Sequence, residues 1–325
     1  MISRRSAIRA IAASAAACVG TRAYAADKFP VRSIRIMAPY AAGTVTDLSA
    51  RLIAEGLAKT WGVAVIVENI AAASGIVGTS TIAKSPPDGY NLVMVASNHV
   101  INPSLYRDLP FDTIQDFTPI TMVAQTQIVL VVSGSSDIRD VNGLLAKARR
   151  EPGRLNYGSA GNGSVGHLIM EQIKQLTGVF VTHIPYRGQN QALTDLLSGQ
   201  VDLALPALGV ADPFLKSGRM RAIGVVSSRR STLAPEIPTV QEQIGKPLEG
   251  LAWWGLLGPR GMPAELVETI GSAVRTLLRS PAGMDRIRAL GADTVASTSE
   301  EMAATMRTDL ARVAGVVAAA KLKID

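Results

Sequence analysis

NYGSAGNGSVGH, residues 156–167, is the stretch whose reading decides the fold. Four glycines and several small polar residues stand between a β-like segment at 154–157 and an amphipathic segment at 165–176, so a strand turns into a helix through a tight loop. PYAAGTVTD, residues 39–47, makes the same transition between β-like residues 33–38 and helical residues 47–59. Each loop opens a helix whose first N–H groups have no intrahelical partner, and the macrodipole adds a positive field there. Each is therefore an anion cradle. Two cradles in one chain predict a ligand gripped from two sides.

Outward from these loops, short β-rich runs alternate with helical periodicity, the pattern of an α/β protein with mostly parallel sheets. ITMVAQTQIVLVV at 120–132 is too long for an average strand and holds neither Gly nor Pro, so it reads as a connection passing between two domains. Residues 248–257, with adjacent Trp253 and Trp254, read as a second crossing. Asn102-Pro103 reads as a turn. The remainder is mainly helical: 263–278 with Pro263 at the first helical position, 281–290, and 299–320 with Ser299 as N-cap. Two α/β lobes follow, one formed by 26–124 completed by 254–325 and the other by 125–253, with the Gly-rich loops facing across a cleft.

The 325 residues are 47% hydrophobic and 18% charged, an ordinary globular balance for two domains. Arg4, Arg5 and Arg9, an apolar run at 10–20 and the Ala23-Tyr24-Ala25 pattern predict an export signal over 1–25, cleaved near Ala25. The paired arginines are similar to a twin-arginine signal, and the general secretory route stays open. Cleavage leaves a net charge of +3 and removes the single cysteine, Cys18. What remains carries no basic run for nucleic acid, no thiol and no disulfide. The three histidines, His99, His167 and His183, lack metal-ligand spacing on one helix. These features predict a periplasmic, soluble product, a monomer without cofactor or metal.

PYAAGTVTD (39–47), PPDGYNL (86–92), INPSLY (101–106), LNYGSAGNGSVGH (155–167), IPYRG (184–188) and LLSGQVDL (196–203), in this order, resemble the Bug family of periplasmic substrate-binding proteins of tripartite tricarboxylate transporters. The resemblance spans the whole chain after the signal. It implies a periplasmic-binding-protein-like "Venus flytrap", each lobe a mostly parallel sheet flanked by helices, joined by two crossing strands. It also implies capture of a small carboxylate, or a related acid or amide, for delivery to membrane permease subunits without chemistry. The site residues it implies are Tyr40, Ala42, Gly43, Thr44, Thr46 and Asp47 in the first loop, and Ser159, Gly163, Ser164 and His167 in the second. Ser97 and Asn98 follow a first-lobe strand, and Tyr186 and Arg187 complete the set. The chain departs from the family where Thr44 stands for a second Gly, Val45 and Val165 for hydroxyl residues, and Pro206 for a polar one.

Bland readings compete with these. Asp47 in a first helical turn complements the dipole whatever the ligand, although it is also placed to receive a ligand ammonium or hydroxyl. His167 is as well suited to a structural hydrogen bond as to an anion. Gly161-x-Gly163-x-x-Gly166 matches a dinucleotide fingerprint, but the position for its acid reads His183-Ile184-Pro185-Tyr186-Arg187. The alternative functions are an exported enzyme, for which no nucleophile elbow or zinc motif is present, and a ligand-binding input protein for a sensor.

Overall fold

The computed structural model describes residues 29–320 except 187, 232 and 249, and of 73 and 251 only the backbone. The export signal, with Cys18, and Arg187 lie outside the described residues. The chain from Arg32 onward packs as one compact unit.

Its elements are β1 (Ile34–Ala38), α1 (Val45–Trp61), β2 (Val65–Asn69), α2 (Ile76–Ala83), β3 (Asn91–Ala96), α3 (Asn98–Leu105) and β4 (Phe117–Ser133). There follow α4 (Val141–Arg150), β5 (Asn156–Ser159), α5 (Val165–Thr177), β6 (Thr182–Pro185), α6 (Gln189–Ser198), β7 (Leu203–Ala204), α7 (Leu208–Lys216) and β8 (Met220–Val226). The chain closes with α8 (Val240–Ile244), β9 (Leu251–Pro259), α9 (Ala264–Arg279), α10 (Pro281–Ala289), β10 (Asp293–Thr294) and α11 (Ser299–Ala320).

The fold is α/β and two-lobed, and β4 is shared by two sheets. Its first part, to Gln127, pairs with β9, which is followed outward by β3, β1 and β2. From Ile128 it pairs with β8 on one side and with β7, β5 and β6 on the other. The chain returns to the first sheet at Leu251, opposite Gln127. β4 is apolar on both faces because both are covered: Leu130 and Val132 pack with Leu144, Tyr157 and Ile173, whereas Val129 and Val131 pack with Leu193 and Leu208. Met37, Val93, Trp253, Leu257 and Met302 make the core of the first sheet.

Strand directions place the loops. β9 is antiparallel to both β3 and β4, so β1, β3 and β4 run the same way. β7 is antiparallel to β4 and parallel to β5, so β5 runs against them. The C-terminal ends of β1 and β5 therefore approach each other along β4. Ala96 lies level with Ala124 through Trp254, and Gly158 level with Val131 through Ala204. Both Gly-rich loops converge on the intervening stretch of β4, at the strand ends where open α/β sheets bind ligands.

Three boundaries differ from expectation. Asn102-Pro103 is not a turn but part of α3; the carbonyl of His99, freed by the missing Pro103 N–H, accepts the Thr113 hydroxyl at 3.3 Å. Pro263 stands just before α9, its carbonyl accepting the N–H groups of Leu266 and Val267. Thr298, not Ser299, caps α11 in a reciprocal box with Glu301, and the Ser299 hydroxyl donates to the Pro119 carbonyl at 2.7 Å.

α11 touches both parts of the molecule. Trp253 Nε1 donates to Asp309 at 2.9 Å, while Val313, Val316 and Val317 pack on Ile101, Leu105 and Leu168, and Gln175 donates to the Val316 carbonyl. Elsewhere Gly209, in α7, meets Gly291, after α10, backbone against backbone: a Cβ on Gly291 would stand 2.6 Å from the Gly209 Cα.

Candidate functional site

The two loops share one hydrogen-bond frame. Gly43 and Gly163 both hold left-handed backbone, φ 81° and 73°, which glycine adopts without a Cβ penalty. The next residue is the N-cap, Thr44 or Ser164, whose hydroxyl accepts the N–H of Asp47 or His167 at 3.4 Å. The glycine N–H donates four residues on, to Asp47 Oδ2 at 2.9 Å or His167 Nδ1 at 3.0 Å. The shared pattern is Gly-(Thr/Ser)-Val-x-(Asp/His). In each case the second and third residues of the pattern are followed by first-turn N–H groups with no intrahelical partner, those of Val45 and Thr46 in α1 and of Val165 and Gly166 in α5.

In the first loop Asp47 is 1% exposed and turned inward. Besides Gly43 it accepts Arg51 Nε at 3.0 and 3.1 Å and Asn69 Nδ2 at 2.9 Å. Burial acts to raise its pKa, but the hydrogen bonds from Arg51, Gly43 and Asn69 outweigh it and hold the carboxyl below its usual range. Asn69 Nδ2 also reaches the Tyr40 carbonyl at 3.0 Å. Asp47 thus fixes the loop. Tyr40 packs its phenol near Gly75, where a Cβ would meet Oη at 3.1 Å, and burial pushes its pKa up. Ala42, Gly43 and Thr44 are exposed, and Thr46 is buried in the first turn of α1.

In the second loop Ser159 is buried, its Oγ 2.7 Å from His183 Nε2 and 3.1 Å from both the N–H and the carbonyl of Gly161. The His167 and His183 rings stack at 3.9 Å and 9°. Tyr157 also stacks on His183, at 4.8 Å, and its hydroxyl donates to Glu171 at 2.9 Å; Lys174 donates to the same carboxylate at 2.7 Å. Burial lowers both histidine pKa values, that of His183 to about 3 with help from His167 and Lys174, so both rings are neutral near pH 7. Burial, then Glu171, raises that of Tyr157.

Ser97 is buried at the end of β3 and donates its N–H to the Trp253 carbonyl; Asn98 begins α3, half-buried. Ser97, Val100, Ile101, Val165 and Leu168 line a narrow, mostly apolar crevice. Tyr186 is tied to its own sheet, its hydroxyl donating to Asp195 at 2.7 Å and its N–H to the Ser159 carbonyl. Topology brings both loops, Ser97, Asn98 and Tyr186 to the same strand ends; Asp47, Ser159, His167 and Tyr186 spend their side chains inside the protein. Reading the sequence missed Arg51, Asn69, Tyr157, Glu171 and His183. The signal for two of them is positional: Asn69 and His183 lie on the strands flanking β1 and β5. Among the described residues no cluster of three or more His, Cys, Asp or Glu is placed to hold a metal.

Comparison with known proteins shows the family and the fold. The pattern of the tripartite tricarboxylate transporter family receptor, TctC, matches residues 49–322. The chain is 32% identical to protein BugT of Bordetella pertussis, over 92% of this chain and 93% of that one. The solved structure of Rpa4515 from R. palustris with adipate superimposes with a TM-score of 0.79 at 32% identity, covering 91% of this chain and all of that one. MatC from Rhodopseudomonas palustris with bound malate gives a TM-score of 0.74 at 29% identity, covering 89% of this chain and all of that one. The chain belongs to the Bug family, the TctC-type receptors of tripartite tricarboxylate transporters.

Proposed function

We propose that this chain is an extracytoplasmic solute-binding receptor that captures a small carboxylate between its two Gly-rich loops and delivers it to the permease of a tripartite tricarboxylate transporter. The observation that supports the reading is the repeated frame, which opens α1 and α5 with capped first turns whose leading N–H groups have no intrahelical partner, at the loops that follow β1 and β5. Residues 26–124 with 254–325 form one lobe and 125–253 the other, β4 and the start of β9 acting as the hinge; 1–25 direct export to the periplasm and are cleaved. Ligand bridging the loops favours a closed arrangement that the permease reads. The first loop contributes Tyr40, Ala42, Gly43, Thr44 and Thr46. The second contributes Gly163 and Ser164, and Ser97, Asn98 and Arg187 complete the proposed set. The protein acts as a monomer and performs no chemistry. Among the described residues Ser159 Oγ lies 2.7 Å from His183 Nε2, but the serine is 1% exposed and a histidine with a pKa of about 3 is a poor base near neutrality.

Adipate on Rpa4515 and malate on MatC make short dicarboxylates the first panel, with monoamides and diamides as controls. A ligand that binds only the folded form adds about 2.7 kcal/mol at a hundredfold excess over Kd. Raised melting temperatures with acids but not diamides are expected. Equal shifts with diamides, or turnover of any panel member, contradict the reading.

A further inference from the structure

The two loops share a frame but not a brace. In the first, the acceptor Asp47 is held by Arg51 and by Asn69, which also grips the loop through the Tyr40 carbonyl. Asn69 ends β2 and pairs with Ala38 of β1. In the second, the acceptor is His167, and among the described residues no hydrogen bond reaches its Nε2. Its ring instead lies flat on His183, which stands on β6 and pairs with Tyr157 of β5. The strand flanking the loop strand supplies the brace in both cases.

We propose that His183 is a positioning residue for the second loop, holding it in the shape that leaves the Val165 and Gly166 N–H groups to the ligand. One ring fixes both halves of the loop. The arrangement that makes every contact at once has His183 Nε2–H donating to Ser159 Oγ, whose hydroxyl donates to the Gly161 carbonyl while its lone pair takes the Gly161 N–H. The face of the same ring seats His167, whose Nδ1 accepts the Gly163 N–H. Tyr157 stacks on the same ring and is anchored by its hydroxyl on Glu171, which Lys174 also holds. His183 touches no ligand; it acts through Ser159 and His167. This role rests on the reading that α5 receives a carboxylate.

Two variants separate the duties: His183→Phe keeps the stacking face and loses the bond to Ser159, and His183→Gln keeps a donor at the Nε2 position and loses the stack. Amide exchange is followed at Gly161 and Gly163, with Val129 and Val131 of β4 as the global control, and affinity is measured with adipate and malate as probes. Nitrogen NMR of the native protein is expected to show His183 protonated at Nε2. His183→Phe is expected to speed exchange at Gly161, and His183→Gln at Gly163, by about tenfold or more while β4 stays protected. Both variants should weaken probe binding by a similar factor. Unchanged loop protection in both variants overturns the proposal, as does a loosened loop with undiminished probe affinity. If the native chain binds neither probe while the variants still loosen the loop, the brace stands and the carboxylate reading of α5 fails.

Discussion

Gly163 holds left-handed backbone, φ 73°, in which a β-branched residue is strained. Gly163→Val is expected to cost at least about 1–2 kcal/mol in stability and to weaken carboxylate binding more than melting temperature, as calorimetry with the same probes would show. A folded variant with native affinity contradicts the cradle. Asp47→Ala removes an acceptor serving Gly43, Asn69 and Arg51, so a loss of about 1–3 kcal/mol in denaturant unfolding is expected. The Gly-rich character of both loops and the helices they open were legible in the sequence, whereas the N-caps Thr44 and Ser164 were not singled out, because the first helix starts two residues earlier than its apolar spacing shows. Which way Asp47 and His167 point was not legible, because that depends on Asn69 and His183, brought near by strand pairing.

At the scale of elements, the periodicities gave most helices and strands to within two or three residues. The failures have physical causes. α3 tolerates Pro103 only because Thr113 takes the freed carbonyl, a contact made from outside the helix. β10 is only two residues, too short for any alternation to register. The same elements carry a pH dependence. His99 is buried between Phe111 and Phe117 with Nε2 at the Thr113 carbonyl, and burial lowers its pKa to about 4; that of His183 falls to about 3. Unfolded histidines protonate near pH 6.5, so stability is full above that pH and falls as pH drops toward these folded values. Melting temperature is expected to decline steadily below pH 6.5. His99→Gln, which keeps a donor for Thr113 and does not titrate, should flatten the slope.

For the whole molecule, the two-lobed architecture was read from two β-rich runs taken as crossings, residues 120–132 and 248–257, which fall in β4 and β9. The contacts that span the molecule were not legible, because they join residues far apart in sequence. Gly209 against Gly291 is one such contact, and a side chain there meets backbone that cannot rotate away. Gly209→Ala is expected to lower stability by about 1–3 kcal/mol through overpacking and to reduce any ligand-induced compaction seen by small-angle scattering. Native stability and compaction would contradict a tight pivot.

The position of β9 has a temporal consequence. It lies between β3 and β4, pairing Leu257 with Val93, yet it follows both in the chain. While the polypeptide is being synthesised or threaded through a pore, the inner edge of β3 has no neighbour until residue 257 emerges, and a bare strand edge invites wrong pairing. The second sheet is completed earlier, by β8 at Val226. Maturation thus proceeds out of numerical order: the half begun first finishes last, when β9 slots home and α11 closes over it.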